Sequence, residues 1–296
     1  MQIQVVFRLY RPCLAVLLMF LLAVAARAAT DRSSGLLWEI SGPGLQPSYI
    51  FGTVHSEDPE VLRLAAPVRQ AFAAARQVVV EVLMDTDAMT YSSSAMLLMD
   101  GRLLPDIIGR SLFGNVAAAM QTRGIPEVVL ERMKPWAAAL TLSMPVPETG
   151  EVLDMTLYRQ ALEAGKPVHG LETIQEQLQV FDTLPEADQV ALLRDAVANL
   201  ADIDAMHAEL LSAWKRRDLG RLMALSLETL EEGDQRLAGE FQRRLVVERN
   251  RLMVERMQPF LREGGAFVAI GALHLPGEEG VLNRLERQGY TLRAVY

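Results

Sequence analysis

The chain has 296 residues, 50% of them hydrophobic, with 37 acidic against 29 basic side chains and a net charge of -8 at pH 7. That acidity gives no electrostatic case for a nucleic-acid partner, and the single cysteine excludes an internal disulfide framework. The length suffices for one large domain or two closely joined ones, held together by their cores.

The first 28 residues read as an export signal rather than as part of the fold. Arg8 and Arg11 give a basic start, Cys13 to Ala26 is almost continuously apolar, and Ala26-Arg27-Ala28 has the small-x-small pattern of a signal-peptidase site. The apolar run falls short of the ~20 residues a bilayer span needs. The expectation is cleavage after Ala28 and a periplasmic or secreted domain over 29–296, which meets the membrane only through its signal. Removing the segment takes away Cys13 and leaves 37 acidic against 26 basic residues, a net charge of -11.

Two strands, Gly35 to Ser41 and Ser48 to Gly52, flank a Gly42-Pro43-Gly44 turn and predict a hairpin. The second runs into Gly52-Thr53-Val54-His55. Helical apolar spacing follows over 60–76, and 77–83 reads as a buried strand. Helices are then predicted over roughly 88–99, 111–123, 127–143, 151–164, 173–183, 186–217 and 234–263, interrupted by one short strand, Lys166 to His169. The C-terminus returns to the opening pattern, with strand 266–270, Gly271-Ala272-Leu273-His274, a helix near 278–288 and a last strand over 290–295. The expected fold is α+β with α/β character. A small sheet is built from two strand-GxxH-helix-strand half-repeats at the chain ends, and a helical insertion over about 88–263 packs on it as a cap.

The chain has four histidines, and two of them, His55 and His274, occupy the same position of the same motif. In a GxxH strand end the glycine permits a sharp turn or a close approach, and the imidazole three residues on projects into the crevice. Two imidazoles placed alike at the carboxyl edge of one sheet point to one shared site, a metal site foremost. A divalent ion also needs carboxylates. Glu81 sits in the apolar strand Val78 to Leu83, where a buried acid demands a cation, unless it stands at an exposed strand end. Glu172 follows the short strand and opens a helix, so it either enters the crevice or serves the helix N-terminus. Glu248, Arg249 and Asn250 interrupt the apolar stripe of the helix 234–263; they either support the fold through ion pairs or orient a substrate carboxylate or a metal-bound acid. His169 reads as a strand-end residue and His207 as solvated. No G-x-S-x-G, H-E-x-x-H, P-loop or G-x-G-x-x-G pattern is present.

These residues resemble the TraB/GumN family, which includes the TIKI-type metalloproteases. The likeness runs through Ser48 to His55, Met133-Lys134-Pro135-Trp136, Gly165 to Thr173, Glu248-Arg249-Asn250 and Phe267 to Gly277, covering about 35–296. The resemblance implies a metal-dependent hydrolytic site around a divided GxxH pair, similar also to the erythromycin-esterase and ChaN-like groups. By that resemblance His55 and His274 are the motif histidines, Glu81 the strand acid and Glu248, Arg249 and Asn250 the helical polar triplet; the expected metal ligands are His55 and His274 with help from Glu81 or Glu172, and the expected residues of the reaction are Glu81, Glu172, Glu248, Arg249 and Asn250. The ion is expected to be manganese, cobalt, zinc or iron, and the substrate a peptide or small molecule. The reading is therefore an exported, peptidase-like hydrolase. Its rival is a non-catalytic periplasmic protein that captures a peptide, haem or an envelope component in the same crevice. The oligomeric state stays open.

Overall fold

Both apolar runs that end in GxxH become strands, and they lie side by side. A computed structural model describes residues 32–231 and 235–296; the expected signal over 1–28 lies outside them. Six strands, β1 (Leu37–Ser41), β2 (Ser48–Thr53), β3 (Gln77–Val82), β4 (Val168–Glu172), β5 (Ala266–Gly271) and β6 (Thr291–Ala294), form one mixed sheet in the order β4-β3-β5-β2-β1-β6. β2 to β5 are mutually parallel, whereas β1 runs antiparallel to both β2 and β6. β5, Ala-Phe-Val-Ala-Ile-Gly, is buried along nearly its whole length, as a strand covered on both faces must be.

The helices are set largely by prolines and caps. Between β2 and β3 lie α1 (Pro59–Leu62) and α2 (Ala66–Ala74). The single helix expected over 60–76 breaks there, because Pro67 has no N–H to donate and is tolerated only in a first turn. Between β3 and β4 come α3 (Thr86–Ala95), α4 (Leu104–Ile108), α5 (Arg110–Gln121), α6 (Glu127–Leu130), α7 (Pro135–Leu142) and α8 (Leu153–Glu163). Pro135 again starts a new helix where one over 127–143 was expected. After β4 follow α9 (Ile174–Asp182), α10 (Glu186–Ala198), α11 (Ile203–Lys215), α12 (Leu219–Glu231), α13 (Gln235–Gln242), a π-helical segment Arg243–Glu248, and α14 (Arg249–Glu263). α15 (Val281–Arg287) joins β5 to β6.

The helices of the middle of the chain contribute to two cores. α8, α11, α12 and α14 send Leu153, Leu157, Trp214, Leu222, Met253 and Met257 into the core that covers the sheet, where Phe51, Phe72, Phe267 and Trp214 pack ring on ring. A second core joins α4 to α7 with α9 and α10 around Leu104, Met120, Leu130, Trp136, Leu142 and Leu193. Within it Trp136 donates to Asp182 at 2.8 Å, as does Lys134 at 2.6 Å, so the Met133-to-Trp136 motif serves the helical lobe.

The two strand-GxxH-helix-strand units share an order of elements but not a pairing. After β2 the chain passes over β5 to return as β3, parallel to β5; after β5 it leaves the other way and returns as β6, antiparallel to β1. β2 and β5 are therefore parallel neighbours whose connections diverge. Such a switch point opens a crevice at the strands' carboxyl ends, where α/β proteins place their ligands.

Candidate active site

The glycines of the two motifs are there for space. Register sets Gly52 opposite Ile270 and Thr53 opposite Gly271, so the motifs are offset by one residue. A Cβ on Gly52 would stand 2.8 Å from Leu275 Cδ1 and 3.0 Å from the Ala272 Cα. Only glycine lets the second motif turn so closely over the first. A Cβ on Gly271 would come 3.3 Å from Glu81 Oε1, the oxygen to which the Gly271 N–H donates at 2.6 Å. Neither residue has a positive φ.

His274 lies buried at the end of the short 3-10 turn Ala272–His274. Its Nδ1 is 2.7 Å from Asn250 Oδ1, and Asn250 Nδ2 donates to the Glu279 carbonyl at 2.9 Å. With the amide nitrogen committed to a carbonyl, the amide oxygen accepts from Nδ1–H, which assigns the tautomer and leaves Nε2 with a lone pair. That Nε2 faces Glu81 Oε1 across 3.7 Å. Burial pushes the ring's pKa below its usual value and keeps it neutral at pH 7.

Glu81 occupies β3, where sequence placed it, and is largely buried rather than at an exposed strand end. Burial opposes its charge, but the Arg249 guanidinium and the Gly271 N–H outweigh that and hold the carboxyl well below the usual range. Arg249 opens α14 and bridges two acids: Nη2 donates to Glu81 Oε2 at 2.8 Å and to Glu172 Oε2 at 2.7 Å, and Nε donates to Glu172 Oε1 at 3.0 Å. Glu172, with its side chain 2% exposed, has entered the crevice. Gln177 of α9 ties the same two carboxylates with 3.1 Å bonds from Nε2. Arg249 is thus committed to acids of the site and not free for a substrate carboxylate.

His55 stands on the other side. Its ring is 64% exposed, with Nδ1 2.9 Å from Asp154 Oδ2 on α8. The Asp154 carboxylate raises its pKa above the ordinary histidine value. Thr53 donates to Asp154 Oδ1 at 2.6 Å, whereas Oδ2 is buried with no well-directed hydrogen bond, the His55 N–H being close but out of line. His55, Glu81, Asp154 and Gln177 line one cavity of about 170 Å³ together with Val80, Val82, Met84, Val152, Met155 and Tyr158.

Of the residues expected at the site, Glu248 does not join. It is half exposed and pairs with Arg243. His169 stacks on Phe260 at 4.7 Å, and His207 Nε2 lies 3.4 Å from the His55 carbonyl. Asp154 and Gln177 belong to the site and were not expected there.

Among the described residues, no three His, Cys, Asp or Glu side chains are gathered at metal-ligating spacing. The donor types present are nonetheless ones that a divalent cation takes. A neutral imidazole lone pair faces a carboxylate oxygen, each held from behind by hydrogen bonds. An imidazole and carboxylate set suits manganese, cobalt, zinc or iron.

A sequence model of the TraB/PrgY/gumN family matches residues 36–294. Two relatives from Danio rerio are similar at a lower level: Metalloprotease TIKI1, 24% identical with 89% of this chain and 64% of the relative covered, and Metalloprotease TIKI2, 24% identical with 87% and 60% covered. The chain thus spans less than two thirds of the length of these relatives. No solved structure matches. The family match begins in front of β1 and ends with β6, enclosing the whole sheet and every residue of the site, and the chain belongs to the TraB/PrgY/gumN family.

Proposed function

We propose that the protein is an exported, metal-dependent hydrolase of peptide-like substrates, with His274, Glu81 and His55 as the residues that hold the ion. The observation that carries this reading is the His274 Nε2 lone pair facing Glu81 Oε1 across 3.7 Å, its other nitrogen fixed by Asn250. Ligand histidines are commonly oriented in this way, by an acceptor on the ring nitrogen that does not bind the metal. His55 has an acid in the corresponding place, with Asp154 Oδ2 2.9 Å from its Nδ1. A divalent ion there would act as a Lewis acid, lowering the pKa of a water and polarising a carbonyl.

The surrounding residues have positioning roles. Asn250 fixes the tautomer of His274. Arg249 and Gln177 hold Glu81 Oε2, so that Oε1 keeps its direction, and Glu172 keeps Arg249 in place with both oxygens engaged. Glu172 is therefore a support and not a free base. A second cleft of about 600 Å³, lined in part by Glu172, Tyr91 and Arg256, shares Val82 with the cavity and offers room for more than one residue of a peptide. Likeness to two metalloproteases supports the reaction class, and the basic and apolar start of the chain supports export.

The test is a titration of the mature protein with manganese, cobalt, zinc and iron, followed by thermal unfolding and cleavage of a peptide library. One of these ions at 100 times its dissociation constant stabilises by about 2.7 kcal/mol, and His55→Ala or His274→Ala removes the effect. Saturable peptide binding without turnover, retained in Glu81→Gln and Glu172→Gln, would instead establish the non-catalytic rival.

A further inference from the structure

We infer that the cavity beside His55 and Glu81 receives one apolar side chain of the substrate next to the bond that is cut, and that Met84 and Met155 set its fit. This rests on the hydrolase reading above. The cavity measures about 170 Å³. A cavity of about 150 Å³ accommodates a benzene-sized group, so the side chain of leucine, methionine or phenylalanine fits.

The walls are mostly carbon. Val80 and Val82 come from β3, Met84 from the loop after it, Val152 from just before α8, and Met155 and Tyr158 from α8. The polar members are already occupied with one another: Gln177 bridges Glu81 and Glu172, and Asp154 lies between Thr53 and His55. A charged substrate side chain would be desolvated there without a new partner of its own. One alternative occupant exists, a lysine whose ammonium reaches Asp154 Oδ2; the neighbouring His55 already balances that carboxylate. Two methionines make the wall adaptable. Linear, branched and aromatic side chains should therefore all be accepted, while charge is refused.

Blocked single-residue amides test this without relying on turnover. N-acetyl-glycinamide and its leucine, methionine, phenylalanine, lysine and aspartate counterparts are titrated into the mature chain, and the methyl resonances of Met84 and Met155 are followed by NMR. The leucine, methionine and phenylalanine amides should bind at least tenfold more tightly than the glycine one, with the lysine and aspartate amides no better than glycine. Met155→Trp, or Met84→Trp should the first fail to fold, fills the cavity and removes that preference. Equal binding across the series, a lysine preference, or a preference that survives both filled variants would overturn the inference. The hydrolase reading is judged separately: side-chain preference without any peptide cleavage leaves the subsite standing and removes the hydrolase, whereas cleavage indifferent to the side chain does the reverse.

Discussion

Asn250, fully buried, makes the two hydrogen bonds that decide how His274 is presented. Asn250→Ala leaves the ring without its acceptor, and metal affinity measured by calorimetry should fall about 10- to 100-fold, the usual cost of losing such a support. Arg249 carries a different load, since it separates two buried carboxylates. Arg249→Met should cost about 3–5 kcal/mol in urea unfolding. Arg249→Lys should recover only part of it, because an ammonium cannot bridge two acids as a guanidinium fork does. Both residues, with Glu81, were legible in sequence because each interrupts an apolar pattern. Asp154 and Gln177 were not: an acid in the first turn of a helix and an amide on a helix satisfy ordinary rules, so nothing marks them. Glu248 misled for a geometric reason. The π-helical segment that ends at it alters the phase of the stripe, so the residue before Arg249 points out to Arg243.

That segment is the least legible element, because six residues of ordinary helix formers, Arg-Arg-Leu-Val-Val-Glu, carry no mark of a wider turn. Its consequence is local and functional, as it sets the direction in which α14 presents Arg249 and Asn250. The start of α9 shows the opposite case. Thr173 and Glu176 form a capping box that sequence rules anticipate, and Glu176 also holds Arg256 with bonds of 2.8 and 2.7 Å. The Arg256 guanidinium is the main reason that the Glu176 pKa falls to about 2. A depressed carboxylate stabilises the fold above its ordinary pKa of about 4.5 and loses that contribution as pH drops toward 2. Wild type should therefore exceed Glu176→Gln in stability at pH 6, and the two denaturation curves should converge between about pH 4.5 and 2. The loop before α8 is held differently, by Glu57, whose carboxylate accepts from the backbone N–H groups of Glu148, Thr149 and Gly150 and from the Thr149 hydroxyl. Glu57→Ala should release that loop, and limited proteolysis should then cut within 143–152 faster than in wild type.

At the scale of the molecule, sequence reading located the sheet strands and the α+β class, since strand patterns and turn residues are local signals. The divergence of the connections at β2 and β5 is not local. It depends on which strand each unit returns to, and two similar units gave no hint that one would pair with β5 and the other with β1. Nor did helical periodicity tell which helices would cover the sheet and which would form the second core around Trp136. What the topology achieves is the meeting of two motifs more than two hundred residues apart, with Gly52 and Gly271 cleared of side chains so that the strands and Glu81 close up. On this reading the two motifs make one ion site. Elemental analysis of the mature protein, purified without chelators or a histidine tag, tests it most directly. Wild type should carry about one divalent ion per chain, and both His55→Ala and His274→Ala should lose it. Wild type free of metal even after incubation with manganese, cobalt, zinc and iron, or an ion retained in either variant, would contradict it.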